Sequence, residues 1–232
     1  MVFINMNELD ATIWKNEDEY GDWMVEFVPC KKGPDYSEEK FKNLIERWNK
    51  KMDKEGFDVL MAISLIPMSP NNDYDMLWQQ EFWTKDRNKF WQEWKKFHET
   101  KWNQENDSVL LCESDRILDY KASIRGKILP FDENKYYQEF RYCNYKDGCD
   151  ASDLLLFEEM FQDEIKKLDI KGPSLSALFR PLSEHIKSGY DFVWHYCFDS
   201  IENQNSVSEI LNDGMSKFVT FDLISHVAQK IR

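Results

Sequence analysis

The chain has 232 residues, 42% of them apolar and 15% aromatic with nine Trp, which is ample material for a core and rules out a disordered chain. A net charge of −13 opposes approach to phosphate backbones and anionic lipid, so neither nucleic acid nor a membrane surface is an expected partner. The longest apolar run, VLMAISLIPM from Val59, is too short to span a bilayer and contains Pro67, and the N-terminus lacks the pattern of a signal peptide, so the expected location is cytoplasmic.

Residues 1–21 read as an N-terminal extension. The stretch WMVEFVPC, Trp23 to Cys30, reads as a first strand. A helix follows from near Ser37, with Phe41, Leu44, Ile45, Trp48 and Met52 at three- and four-residue steps, Glu38 and Glu39 in its first turn and Gly56 closing it. DVLMAISLIPM from Asp58 is a short buried strand ended by Pro67. YDMLWQQEFW, Tyr74 to Trp83, alternates large and mostly polar residues and is a third strand. A second helix carries Phe90, Trp91, Trp94, Phe97 and Trp102 on one face, and SVLLCES near Ser108 makes the last strand. The first unit therefore spans 22–125 and the connector 126–134.

Residues 135–232 repeat this scheme. YYQEFRYC, Tyr136 to Cys143, matches the first strand at an offset of 113 and aligns Glu26 with Glu139, Phe27 with Phe140 and Cys30 with Cys143. Asp150 is the expected N-cap of a helix with Leu154, Phe157, Phe161, Ile165 and Leu168 on its apolar face. SLSALFRPL and YDFVWHYCFD are the second and third strands, SVSE at Ser206 to Glu209 a capping box, and KFVTFDL the last strand. The expected fold class is α+β: two tandem ferredoxin-like βαββαβ repeats whose antiparallel sheets face each other as a single-chain α+β barrel with the helices outside.

This order, with a Trp-bearing third strand running into an aromatic helix (YDMLWQQEFWTKDRNKFWQEW), resembles the dimeric α+β barrel superfamily, and within it the NIPSNAP-like, EthD-like and antibiotic-biosynthesis-monooxygenase-like proteins. The resemblance implies a barrel of two ferredoxin-like units, here fused, so that a monomer holding a pseudo-dimer is favoured over a homo-oligomer. It also implies activities that range from cofactor-independent oxygenases and isomerases to haem-degrading enzymes. Nothing marks an axial ligand, so no cofactor is expected, and haem enters only through the resemblance.

No GxGxxG, P-loop, HExxH or GxSxG is present. DYD at Asp73 to Asp75 lacks the glycine and glutamate of a calcium loop. The five cysteines are odd in number and without CxxC spacing, which favours five reduced thiols over a disulfide framework or a zinc site, with a Cys143–Cys149 bridge as the lesser alternative. Along the third strands, Tyr74, Met76, Trp78, Gln80 and Phe82 and their counterparts are assigned to packing under the helices, ahead of an aromatic ligand platform. The opposite face carries His195, Cys197 and Asp191. Together with Glu139 and Arg141 of the first strand, and Glu26 in the first repeat, these are the candidate site: His195 as acid-base oriented by Glu139, Arg141 to hold an anionic small-molecule substrate, against the alternative of an internal ion network that only closes the barrel. A cofactor-independent small-molecule enzyme is the first functional expectation, and a non-catalytic binding or assembly module the second.

Overall fold

A computed structural model of the chain describes residues 23–70, 73–124, 136–168, 173, 175–182 and 189–232. The N-terminal extension and the connector 126–134 lie outside them. The described elements are β1 (Trp23–Lys32), α1 (Glu38–Glu55), β2 (Met61–Pro67), β3 (Met76–Trp83), α2 (Thr84–Glu93), a π-helical turn (Trp94–His98), α3 (Glu99–Asn106), β4 (Leu110–Cys112), β5 (Leu118–Ile124), β6 (Tyr136–Tyr145), α4 (Ala151–Lys167), β7 (Leu175–Pro181), β8 (Phe192–Phe198), α5 (Ile201–Met215) and β9 (Val219–Lys230). The fold is α+β, as expected. The chain forms two compact units, one dividing from the other between Lys121 and Ala122 within β5, and residues 227–232 join the first.

In the first unit β3 pairs antiparallel with β2 on one side and β1 on the other, and β1 pairs in turn with β5 and, at its far end, with β4. The chain's last residues lie against β2, where Ile231 N–H donates to the Ala62 carbonyl at 2.8 Å. Helix α1 forms where its sequence signals it. Ser37 Oγ accepts from Lys40 N–H, Gly56 adopts the left-handed φ of 68° that ends the helix, and Phe41, Leu44, Trp48 and Met52 are buried. They pack on Trp78 and Phe82 of β3, with Trp48 and Trp78 edge to face at 5.2 Å.

In the second unit β8 lies between β6 and β7, β9 flanks β6, and the end of β5 flanks β7. Asp150 caps α4 in a capping box with Asp153, and Leu154, Phe157, Phe161 and Ile165 are buried under it. Trp194, Tyr196 and Phe198 of β8 stack in sequence beneath the helices. The third-strand aromatics are therefore core in both units, as their period of two indicates.

Four local expectations are corrected. Ser206 to Glu209 is not a capping box: α5 starts six residues earlier, at Ile201 with Ser200 as N-cap, and Ser206 Oγ bonds back to the Glu202 carbonyl inside the helix. Phe97 is 62% exposed, because the π turn inserts an extra residue and rotates it away from the stripe of Phe90, Trp94 and Trp102. Leu168 is likewise exposed, at the end of α4. The strand near Ser108 is only Leu110–Cys112, and a further strand, β5, follows it.

The thiol expectation is also overturned. Cys30 and Cys112 form a disulfide, while Cys143, Cys149 and Cys197 are free. The β1–β4 register sets Cys30 opposite Cys112, a relation across 82 residues that spacing alone does not show. Such bonds persist in oxidising compartments. No helix among the described residues is long and apolar enough to cross a membrane.

Candidate functional site

Antiparallel register decides which residues can meet. Glu139 lies opposite Tyr196 and Arg141 opposite Trp194, so both carboxylate and guanidinium project to the helix-covered face of the sheet. There Arg141 Nη1 meets Glu139 Oε2 at 2.7 Å, with both side chains buried. Helix α5 completes the cluster from three successive turns. Gln204 Nε2 donates to Glu139 Oε1 at 2.9 Å, Ser208 Oγ lies 3.3 Å from Glu139 Oε2, and Arg141 donates to Ser208 Oγ and Asn212 Oδ1 at 2.9 and 3.0 Å. The guanidinium also sits 5.4 Å from the Tyr196 ring centroid. Every partner is internal, which suits a structural network more than a substrate clamp.

His195 is on the other face, opposite Phe140, so it does not meet Glu139 or Arg141. This corrects the expected trio: β6 and β8 are neighbours, but the parity of the register separates its members. The imidazole is sandwiched between Phe140 and Phe179, at centroid distances of 4.7 and 5.0 Å. Its Nε2 is 3.0 Å from Gln138 Oε1 and 3.5 Å from Cys197 Sγ. Burial pushes its pKa down to about 3 and that of nearby His226 to about 4. The ring is thus neutral, Nε2–H donates to Gln138, and Nδ1 is a buried acceptor without a partner. Cys197 is brought to His195 as expected, but no carboxylate orients the ring.

Glu26, aligned with Glu139, has the equivalent environment in the first unit. It accepts from Arg87 and, at 2.7 Å, from Trp91 Nε1, and Arg87 also pairs with Asp119 at 3.1 Å. Burial still raises the Glu26 pKa against these partners. Asp191 ties off a strand end by accepting from Tyr145 N–H at 2.9 Å, as Asp75 does from Lys32 N–H at 2.8 Å. Glu81, where the second unit has Cys197, accepts from Gln79 Nε2 at 2.7 Å, and burial pushes its pKa up to about 7.

These buried groups give a signed pH dependence. The two histidines have folded pKa values below the usual 6.5, so their contribution to stability is present above about pH 6.5 and is lost as pH falls toward 4 and 3. Glu81 has the opposite sense: its contribution is present below about pH 4.5 and is lost as pH rises through about 7. The melting temperature should accordingly rise from pH 4 to a plateau near pH 7, as a series of thermal scans would read. In Gln79→Leu/Glu81→Leu the rise between pH 4.5 and 6.5 should steepen, because the opposing Glu81 loss is gone.

The first unit contains a cavity that sequence reasoning did not single out. It has a cavity volume of about 70 Å³, is partly open to solvent, and lies among β1, α1, β3, α2, the π turn, α3 and β4. Trp48, Trp78, Trp91, Trp94 and Trp102 form most of its wall, and Gln80, Glu99, Asn103 and Ser114 are its polar groups. Gln80 is 3% exposed and lines this cavity, where its amide is one of few polar groups. The sequence carried one signal, the only polar residue among Met76, Trp78, Gln80 and Phe82 on an otherwise apolar face. Glu99 lies at the π turn's end and accepts from Ser114 Oγ.

No family model matches the chain, and no curated protein matches it in sequence. Solved structures do match in fold. A mutant chlorite dismutase from Candidatus Nitrospira defluvii in complex with cyanide is 9% identical, with a TM-score of 0.58 over 91% of this chain and 92% of that one. The same organism's chlorite dismutase in complex with imidazole is 10% identical, with a TM-score of 0.57 over 91% and 92%. A candidate monooxygenase from Lactobacillus acidophilus is 10% identical, with a TM-score of 0.51 over 89% and 92%.

The resemblance makes haem the cofactor to test. Among the described residues none fits as its axial ligand. His195 is sealed between two phenylalanines, His226 is fully buried beside it, and His98 packs against Phe57 and Trp94; none lines the tryptophan cavity. His185 lies outside the described residues, and no group of three or more metal-binding side chains occurs within them. At these identities the structural matches show the fold alone, which this chain shares with the chlorite dismutases and the candidate monooxygenase.

Proposed function

We propose that this chain is a small-molecule-binding protein built as a tandem duplication of a ferredoxin-like unit, and that its ligand site is the tryptophan-lined cavity of the first unit. The observation that carries the site is its lining, five tryptophans with few polar groups, the nearly buried Gln80 among them, the composition typical of small-molecule sites. The π turn beside it supports the reading, since such insertions recur at functional sites. The duplication is supported by the equivalent environments of Glu26 and Glu139, each held by a helix pair four residues apart, Arg87 with Trp91 and Gln204 with Ser208.

A second reading keeps chemistry in the second unit and treats the chain as a cofactor-independent enzyme. The buried, unsatisfied His195 Nδ1 favours it. A thermal-shift screen against a small-metabolite panel separates the two. Ligand-dependent stabilisation should be lost in Gln80→Leu and retained in His195→Phe. The reverse pattern would move the site to His195, and no stabilisation by any compound would reject the binding reading.

A further inference from the structure

The electrostatics of the cavity select a ligand class. Glu99 is its only charged lining residue. The carboxylate is half-buried, accepts from Ser114 Oγ and has no cationic partner among the described residues. A carboxylate in a partly desolvated wall is stabilised by a cation, and here the protein supplies none. Five indoles and a phenyl ring make up most of the apolar wall, and their electron-rich faces attract cations, tryptophan most strongly. The wall already does so on its outer side, where Lys95 Nζ sits 5.7 Å from the Trp91 ring centroid. Asn103 and Gln80 add hydrogen bonding without charge.

We propose that the cavity binds a small organic cation, an alkylated ammonium carrying one polar group, with the ammonium against the tryptophan rings and Glu99 and the polar group on the Gln80 amide. The proposal rests on the cavity being the binding site and adds the sign of the ligand's charge. Glu99 repels an anionic ligand and gains from a neutral one only an uncharged hydrogen bond. The net charge of −13 also raises the local concentration of a cation.

The test uses choline chloride and its uncharged isostere 3,3-dimethylbutan-1-ol, titrated into the full chain with calorimetry and tryptophan fluorescence as readouts. Choline should bind about tenfold more tightly than the isostere. In Glu99→Gln, which keeps an acceptor for Ser114, the choline advantage should shrink severalfold while the isostere is unaffected. Far-UV circular dichroism confirms that the variant is folded. Equal affinity for the two compounds in the unsubstituted chain, or no choline binding, overturns the charge assignment and leaves the cavity reading to the metabolite screen. Choline binding unchanged by both Glu99→Gln and Gln80→Leu would overturn the cavity reading as well.

Discussion

Replacing Arg141 with methionine is expected to cost the second unit about 3–5 kcal/mol of stability, one of the two largest single-site effects in the chain. The guanidinium is fully buried and, among the described residues, is the only cation meeting the Glu139 carboxylate, at 2.7 Å. Methionine would fill much of its volume but leave the Glu139 charge buried, with only Gln204 and Ser208 among the described residues to solvate it. The double variant Arg141→Met/Glu139→Gln should regain most of the loss, because it removes the stranded charge rather than restoring a contact. Urea unfolding of the three proteins measures this. A loss below about 1 kcal/mol in the single variant would show that the pair is hydrated and available to a substrate after all.

Breaking the Cys30–Cys112 bond is the second large effect. The bond closes a loop of 82 residues, for which the chain-entropy account gives about 4 kcal/mol. It also has a local role. β4 has only three residues and reaches the sheet through the far end of β1, so the disulfide fixes the strand that carries Leu110 and Cys112 into the cavity wall and leads to Ser114. Thiol titration of the unfolded, unreduced chain should count three free cysteines of the five. Cys112→Ser should lower the denaturant midpoint and weaken ligand binding in the first unit. Five titratable thiols, or a midpoint indifferent to reductant, would remove the bond from the account.

Much of the fold was legible in the sequence because its signals are local. Ser37 and Gly56 bracket α1, Asp150 opens α4, and the alternation of Met76 to Phe82 and Phe192 to Phe198 marks the buried third strands. The expected site failed where the argument needed a register. Adjacency of β6 and β8 followed from the strand scheme, but a shift of one residue exchanges the faces of a strand, and nothing in the local pattern fixed whether Glu139 would share a face with His195 or with Tyr196. The disulfide was hidden for the same reason. The cavity depends on a third kind of information, the insertion in the π turn that swings Phe97 out and sets Glu99 beside Trp94 and Trp102. Periodicity read at 3.6 residues per turn cannot anticipate that insertion.

The central claim is that ligand recognition belongs to the tryptophan cavity of the first unit and that the buried polar cluster of the second is structural. The direct measurement is a ¹H–¹⁵N correlation spectrum followed through titration with a compound that raises the melting temperature, the Gln80 side-chain amide being assigned by its loss in Gln80→Leu. The account predicts that the Gln80 amide resonances move with ligand while the His195 ring resonances stay fixed. Movement at His195 with Gln80 unchanged would contradict it.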